Sequence, residues 1–220
     1  MFRPHRIALF APLFAPLFAL LMLCAGAATS APLTYTITSK LSRVNLSIEH
    51  QGFIQLSGTL KITPGSFVFD QQDWSKSSIS VSLPTKTLNM GDDLWNSQLR
   101  GDSSWAKLFN TQYITFRSTR VERSDATHGL MHGELTMAGV TKPVTLQMRV
   151  NKIGRNEVSE YQAIGITATS TVKRSQFGLD AYSDLVGDDL AVQIQMEAAI
   201  GVDTDAQQEA IINEKGVLRQ

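Results

Sequence analysis

The sequence predicts an all-β protein, a single antiparallel eight-stranded β-barrel with a short helical insert and a C-terminal helical extension. After about residue 33, apolar and polar residues alternate in one segment after another, as in strands with one buried and one solvated face. Turn-forming residues separate these segments, and no internal repeat or interdomain linker is visible. At about residue 89 the spacing changes to a helical one, which predicts the insert.

The clearest element is a β-hairpin over residues 133–146. Apolar residues alternate with polar ones on both arms, first Leu135 and Met137, then Val144, Leu146, Met148 and Val150. Residues 138–143 predict the turn, because Gly139 can take a positive φ and Pro143 stops the ladder where the second strand begins.

Similar alternation predicts the other strands. Before the insert, apolar residues alternate from Tyr35, Val44, Ile54, Phe67 and Ile79, and after it from Tyr113, Val121, Met131, Ile164 and Val192. Gly58 stands in one apolar position, which predicts a bulge or bend at a barrel corner. Polar connections are predicted at 152–160 and 180–189, and a bend at 174–178.

The helical insert is predicted over residues 89–101, with a second short turn over 103–109. Its apolar residues are Leu94, Trp95, Leu99, Trp105, Leu108 and Phe109. Asp92 and Asp93 suit a first helical turn, and Gly101 suits a C-cap. Two interpretations are compatible: a lid packed over one barrel end, and the mouth of a ligand tunnel.

The N-terminus has the pattern of a secretory signal peptide over residues 1–30. Arg3 and Arg6 precede an apolar run over 7–23, and small residues follow at 25–31, which predicts cleavage near residues 27–30. The exported barrel domain would span residues 33–200, followed by a C-terminal extension over 201–220 with a short helix at 204–216. A membrane anchor and a lipoprotein anchor on Cys24 are alternatives, the second disfavoured by the large Leu23 before it. The predicted location is periplasmic.

Charge and cysteine content exclude several classes of function. Removing Arg3 and Arg6 leaves 18 of the 20 basic residues against 20 acidic ones, a net charge of −2 without a basic stripe. Nucleic acid is therefore not an expected partner. Because the sole cysteine lies in the signal peptide, the exported chain has no disulfide, thiol nucleophile or thiolate metal site.

No catalytic or metal-binding constellation is evident, so the sequence does not predict an enzyme. His128 and His132 lie four residues apart on a predicted strand, about 13 Å at ~3.3 Å per residue, too far apart for one metal ion. No nucleophile elbow or glycine-rich phosphate loop occurs. The acidic pairs at 92–93 and 188–189 are explained by a helical first turn and a loop.

The predicted inner face of the barrel is uncharged and almost wholly aliphatic. The candidate lining residues are Leu46, Ile48, Leu56, Leu60, Ile79, Val81, Leu83, Leu135, Met137, Leu146, Met148, Ile164, Ile166, Val192, Ile194 and Met196. A barrel of this size is either filled by its side chains or holds one slim ligand. The small residues Gly58 and Ala168 and the adaptable methionines favour a cavity, and an uncharged lining selects an apolar ligand.

Three stretches make the chain resemble the YceI family of lipocalin-like polyisoprenoid-binding proteins. They are Gly-Glu-Leu-Thr-Met-Ala-Gly-Val-Thr-Lys-Pro-Val-Thr-Leu at 133–146, Arg-Ser-Gln-Phe-Gly at 174–178 with Val-Gly-Asp at 186–188, and Tyr-Ile-Thr-Phe-Arg-Ser at 113–118. His50 matches a frequent family histidine. The chain departs from the family at an Asp-x-x-His-Ser pattern, where it has Thr38, Leu41 and Ser42, and we expect these positions to lie near the mouth.

The resemblance implies a lipocalin-like barrel that holds an isoprenoid chain, such as a polyprenol or a quinone tail, in the periplasm. The candidate mouth residues, near the polar head of the ligand, are His50, Trp95, Trp105, Phe109, Arg174 and Asp188. Apart from a bound isoprenoid lipid or quinone, no cofactor is implied.

The sequence leaves several functions open. The first is a non-enzymatic carrier of an isoprenoid lipid, and the second a filled barrel that acts through a protein partner such as a membrane cytochrome. An enzyme acting on an isoprenoid lacks a convergent acid, base or nucleophile, and an integral outer-membrane barrel would need longer strands. Peripheral membrane contact and a homodimer are left open.

Overall fold

The computed structural model describes residues 31–201. Its strands are β1 (Leu33–Ile37), β2 (Arg43–His50), β3 (Ile54–Lys61), β4 (Ser66–Phe69), β5 (Ser78–Pro84), β6 (Tyr113–Arg123), β7 (His128–Met137), β8 (Val140–Arg155), β9 (Gln162–Lys173) and β10 (Val186–Ala199). The α-helices are α1 (Asp93–Gly101) and α2 (Ala106–Phe109), and 3₁₀ turns lie at Trp74–Lys76, Thr85–Thr87, Ser103–Trp105 and Arg174–Phe177. The predicted signal peptide and the predicted helix at 204–216 lie outside the described residues.

The strands close into an antiparallel barrel. Neighbours pair in the order β1, β4, β5, β6, β7, β8, β9 and β10, and β10 pairs again with β1. β10 also pairs with β2, which in turn pairs with β3. β1 and β2 therefore act as one bent strand along β10, and β3 and β4 act as its interrupted neighbour. Counted in this way the barrel has eight strands, and the predicted fold class is confirmed.

The bend between β1 and β2 is bridged by a serine. The Ser42 hydroxyl donates to the backbone oxygen of Glu197 at 3.2 Å and accepts from the Glu197 N–H at 3.1 Å. Thr38 N–H donates to the same carbonyl at 2.9 Å. Ser42 thus satisfies backbone groups of β10 where the first strand leaves the ladder, and it is only 1% exposed.

Alternating strand directions give the barrel two distinct ends. The upper end carries the connections at residues 51–53, 85–112, 138–139 and 174–185. The lower end carries those at 70–77, 124–127 and 156–161, together with the start of β1 and the end of β10. The helical insert therefore covers the upper end, and the described chain begins and ends at the lower one.

The hairpin of β7 and β8 is tighter than predicted. Met137 pairs with Val140, and only Ala138 and Gly139 lie between the strands, with φ of 51° and 79°. Two positive φ values are typical of a type I′ turn, which matches the twist of paired strands. The predicted six-residue turn is wrong because Pro143 lies inside β8, opposite Glu134, where β8 has not yet begun to pair with β9.

Other predicted bounds also differ. The two segments after the insert form one strand, β6, with an irregularity between Ser118 and Arg120. β8 and β10 extend into the predicted connections, to Arg155 and from Val186. The main helix begins four residues later than predicted, because the Asp92 carboxylate accepts from Trp95 N–H at 2.9 Å and thereby caps it.

Gly58 does not mark a bulge. The β2–β3 register is continuous through its pairing with Leu46. A Cβ atom at Gly58 would lie 2.7 Å from Met90 Sδ, so glycine makes room for the insert to pack against β3. The backbone of Asn89 completes this contact by bridging to Thr59.

The lower end of the barrel is filled. Ile37 and Ala198 are fully buried, and Ile164 is 1% exposed. Tyr35 stacks on Phe67 with ring centroids 5.6 Å apart, and burial raises the pKa of its hydroxyl. These side chains form a packed floor without charge.

We expect Gly133→Ala to destabilise the barrel. A Cβ atom there would lie 2.5 Å from the Arg117 backbone oxygen and 2.6 Å from Phe116 Cε2, so β6 and β7 would have to separate. Overpacking of this kind costs about 1–3 kcal/mol. Urea unfolding measures the loss, and Gly154→Ala is the control because its nearest neighbour is 3.9 Å away. Equal stability of the two variants would contradict the close packing.

We expect the carboxylate of Asp125, in the β6–β7 turn, to make the stability of the fold depend on pH in the acid range. Its carboxylate accepts the N–H groups of Thr127 and His128, which lower its pKa from 3.8 to about 2. A depressed pKa stabilises the fold above the unfolded value, and this stabilisation is lost as the pH falls from 3.8 to about 2.

The measurement is the thermal midpoint between pH 2 and pH 6 for the natural chain and for Asp125→Ala. At pH 6 the thermal midpoint of Asp125→Ala should lie below that of the natural chain. Between pH 6 and pH 2 its midpoint should fall by less than that of the natural chain. Asp184→Ala, at an exposed loop position, is the control and should retain the natural slope. An unchanged slope in Asp125→Ala would contradict this role.

Candidate functional site: an apolar cavity

The barrel encloses a cavity of about 460 Å³ that extends from the upper end down to Phe69 and Ser77 on the β4–β5 side. The lining residues that lie on strands include Val44, Leu46, Ile48, Leu56, Leu60, Phe67, Phe69, Ile79, Val81, Leu83, Ile114, Phe116, Val121, Met131, Leu135, Met137, Val144, Leu146, Met148, Ile166, Ala168, Val172, Leu190, Val192, Ile194 and Met196. These side chains point inward because each strand alternates between its two faces. The body of the cavity is uncharged and apolar.

Every predicted lining residue except Ile164 lies in this wall. Ile164 lies on the same inward face of β9 as Ile166, but it pairs with Ile153 and Ala198 near the lower end. It belongs to the packed floor rather than the cavity. The barrel is thus hollow over most of its interior and filled at the lower end around β1 and the end of β10, whereas the sequence left a hollow and a filled barrel as alternatives.

The insert supplies both a lid and part of the mouth. Met90, Leu99 and Leu108 close over the upper end of the wall. Trp95 and Trp105 line the same end, and the Trp95 ring meets His50 edge-on with centroids 6.0 Å apart. The insert therefore covers one barrel end and also borders the opening of the cavity.

Arg174 is a buried cation at the mouth, 3% exposed, and its charge is solvated by backbone carbonyls. Nε donates to Gly187 O at 2.8 Å, Nη2 to Val186 O at 2.7 Å, and Nη1 to Ala181 O at 2.8 Å and to Leu179 O. Four of its five N–H groups are thereby used to hold the loop between β9 and β10.

Trp105 covers the other side of Arg174. The guanidinium carbon lies 5.6 Å from the centre of the indole ring, within the range of a cation–π interaction. The insert and the 174–185 connection are thus joined at the place where Arg174 lines the cavity.

A second tie joins the same two segments. The Tyr182 hydroxyl donates to Asp102 Oδ2 at 2.6 Å, and both residues line the cavity. This bond, followed by the Ser104 N–H, lowers the pKa of Asp102, and it raises the pKa of Tyr182. Over the pH range in which Asp102 is ionised and Tyr182 is protonated, the charge-assisted bond holds the mouth segments together.

Two predicted mouth residues lie outside the cavity wall. Asp188 accepts from the Ser175 N–H at 2.8 Å and hydroxyl at 2.9 Å, and the N–H bond is the main cause of its lowered pKa. Its carboxylate therefore supports the 3₁₀ turn at Arg174–Phe177. Phe109 packs half-buried against the core from α2. The expectation that Thr38, Leu41 and Ser42 lie near the mouth is wrong, because the β1–β2 bend lies away from the upper end.

Sequence reasoning missed wall residues of two kinds. Phe116 and Met131 lie on predicted strands, and their inward alternation could have identified them. Leu179, Tyr182 and Leu185 lie in an irregular connection, where no periodicity shows which side chains turn inward.

Within residues 31–201, no helix is long and apolar enough to cross a membrane. In the same range, no group of three or more His, Cys, Asp or Glu side chains could hold a metal ion. What the cavity offers chemically is burial of apolar surface, with the charged lining residues Asp102 and Arg174 at its mouth.

Known proteins are similar to this chain in sequence or in fold. A UPF0312 protein of Serratia proteamaculans is 28% identical over 177 residues, which cover 80% of this chain and 91% of the relative. The crystal structure of BcnA from Burkholderia cenocepacia matches with a TM-score of 0.63 at 19% identity, covering 74% of this chain and 98% of BcnA.

A polyisoprenoid binding domain from Saccharophagus degradans, implicated in plant cell wall breakdown, has a TM-score of 0.54 at 12% identity. The match covers 76% of this chain and 99% of that domain. At these identities the two solved structures establish a common fold. The model of the YceI-like domain matches residues 35–198, which run from β1 to β10 and include the cavity, and the chain therefore belongs to the YceI-like family.

Proposed function

We propose that this protein is a non-enzymatic carrier that binds one long isoprenoid lipid, a polyprenol or a quinone tail, inside the barrel. The observation that carries the proposal is the cavity of about 460 Å³ with an uncharged aliphatic body. A charged or strongly polar ligand would lose its hydration there without compensation, whereas a hydrocarbon chain would not.

The driving force is burial of apolar surface. An isoprenoid tail of about eight units exposes on the order of several hundred Å², and its burial is worth roughly 25 cal/mol per Å². After the entropic costs of association, affinity in the micromolar range or tighter follows. The methionine side chains Met131, Met137, Met148 and Met196 in the wall can adjust to the methyl branches of the chain.

The polar head of the ligand would lie at the upper end. His50, Trp95, Trp105, Arg174, Asp102 and Tyr182 line the cavity there. The packed floor offers no such groups, so an amphipathic lipid would enter tail first. The Saccharophagus domain of the same fold, described as polyisoprenoid binding, supports this ligand class.

We also propose that the carrier acts in the periplasm. The basic residues, apolar run and small residues of the first 31 positions support export with cleavage. A chain whose exported part has no cysteine suits an oxidising compartment, because it cannot form mispaired disulfides.

Protein purified from a periplasmic fraction should carry its ligand. Extraction with organic solvent followed by mass spectrometry is expected to give a prenyl lipid at about one per chain. The intact mass should correspond to a chain that begins close after residues 27–30. Folded protein that yields no lipid, even after incubation with a prenylated quinone, would contradict the carrier function and favour a barrel that acts through a protein partner.

Leu146→Arg should abolish ligand binding. Leu146 lies in the middle of the cavity wall, so the new guanidinium would occupy the space of the ligand's hydrocarbon tail. A bound tail would also remove water from the charge without offering it a hydrogen bond. Gln147→Arg is the matched control, because the neighbouring residue faces solvent on the opposite side of β8. Tryptophan fluorescence titration with a prenylated quinone measures both affinities.

The uncharged variant Ala168→Phe tests the same site in case Leu146→Arg does not fold. Ala168 lines the cavity, so the larger side chain occupies ligand space without burying a charge. Ala168→Phe should weaken binding at least tenfold while the unfolding midpoint changes little. Undiminished binding in both folded variants would overturn the cavity as the site.

A further inference from the structure

Exposed apolar side chains are concentrated around the mouth of the cavity. Eight large hydrophobic residues of the described chain are exposed. Six form what we term the apolar rim: Phe53, Ile54, Leu94, Trp95, Tyr182 and Leu185, with Phe53 84% and Leu94 66% exposed. Tyr113 lies at the same upper end, and Leu33 alone lies at the lower end. A chance scatter of surface apolar residues would not favour one end so strongly.

The rim is built from three segments that contact one another. The β2–β3 turn is joined to the 174–185 connection by the bond from Gln51 N–H to Leu185 O, 2.8 Å long. Next to this turn, the last residue of β2 meets α1 through the ring contact of His50 and Trp95. The bond of Tyr182 to Asp102 joins the connection to the insert.

The rim is also continuous with the cavity. Trp95, Tyr182 and Leu185 are exposed to solvent and at the same time line the cavity. An apolar surface thus runs from the interior of the barrel to its outer edge. A hydrocarbon chain that leaves the cavity would reach an apolar partner at the rim without crossing water.

The charges around the rim select the chemistry of that partner. The upper connections carry the acids Asp92, Asp93, Asp102, Asp180 and Asp184 and the bases Lys86, Arg100, Lys107 and Arg174, a net charge of −1. Asp92 caps α1, Asp102 accepts from Tyr182, and Arg174 is held by carbonyls. No basic cluster is available here to bind anionic headgroups.

We propose that the apolar rim docks this protein onto the surface of a zwitterionic lipid bilayer, with the mouth of the cavity facing the membrane. This inference rests on the proposed carriage of a lipid, because the cargo has to be taken from a lipid phase. Rim side chains enter the headgroup boundary, and binding is shallow, reversible and insensitive to salt. The described chain begins and ends at the lower end of the barrel, away from the rim.

The test is cosedimentation of the purified protein with phosphatidylcholine vesicles. Phe53→Ser, Ile54→Ser and Leu94→Ser are combined in one variant, because none of these residues lines the cavity. Leu33→Ser is the control, an exposed leucine at the opposite end of the barrel. The triple variant should lose at least tenfold in vesicle affinity, and the control should bind like the natural chain. Neither 0.5 M salt nor added anionic phospholipid should change binding by more than about twofold.

A fluorescence measurement locates the docking face. Phosphatidylcholine brominated in its acyl chains should quench the emission of Trp95, whereas Trp74, 3% exposed and at the lower end, should not be quenched. Trp95→Phe keeps an apolar ring at the rim and should remove most of the quenching. Quenching that persists in this variant would place the contact elsewhere and overturn the proposal.

A soluble ligand separates this proposal from the carrier function. Binding of a short prenol delivered in solution, without vesicles, should be equal in the natural chain and the triple variant. If the natural chain binds the prenol but not vesicles, the docking surface is overturned and the carrier stands. If it binds vesicles through the rim but no prenol, the carrier fails and the docking surface stands.

If instead the triple variant converts a dimer to a monomer in sedimentation velocity, the rim is a self-association surface and the membrane proposal is overturned.

Discussion

The closure of the barrel depends on β10, which pairs with three strands instead of two. One edge of β10 is bonded to β9 along its length, and the other is shared between β2 above and β1 below. The change of partner occurs at Glu197, where the Ser42 hydroxyl and Thr38 N–H bond its backbone. Without this junction the first strand could not bend, and the sheet would leave an open edge.

The junction also separates the two halves of the interior. Below it, the inward side chains of β1 and β10 fill the barrel, with Ile37 and Ala198 fully buried. Above it, the strands enclose free space that the insert covers. The apolar cavity tolerates Arg174 at its mouth because the guanidinium is surrounded by backbone carbonyls of the 174–185 connection and of the first two residues of β10, and by the ring of Trp105. The Arg174 guanidinium therefore holds that connection through backbone carbonyls alone, without a hydrogen bond to a carboxylate of the described chain.

Period-two alternation was enough to predict the barrel, and all but one of the residues that it predicted to line the cavity do so. The reason is that the face of a strand residue follows from its position in the strand. Alternation could not separate floor from cavity: Ile164 and Ile166 share one face of β9, yet only Ile166 borders free space. The mouth was harder, since Leu179, Tyr182 and Leu185 lie in irregular backbone. Asp188 looked like a ligand contact and instead supports a turn. The family resemblance drew attention to Ser42 as a residue near the mouth. In the structure Ser42 instead bridges the β1–β2 bend and β10 far from the mouth.

The packed floor has a consequence for transport. A barrel closed at one end cannot act as a conduit that accepts a lipid on one side and delivers it on the other. For the proposed carrier, the lipid would enter and leave by the same opening, so each molecule would have to detach from its donor and turn around before it meets an acceptor. Delivery would then proceed in discrete round trips, at a rate set by the number of free carriers rather than by the length of any protein bridge.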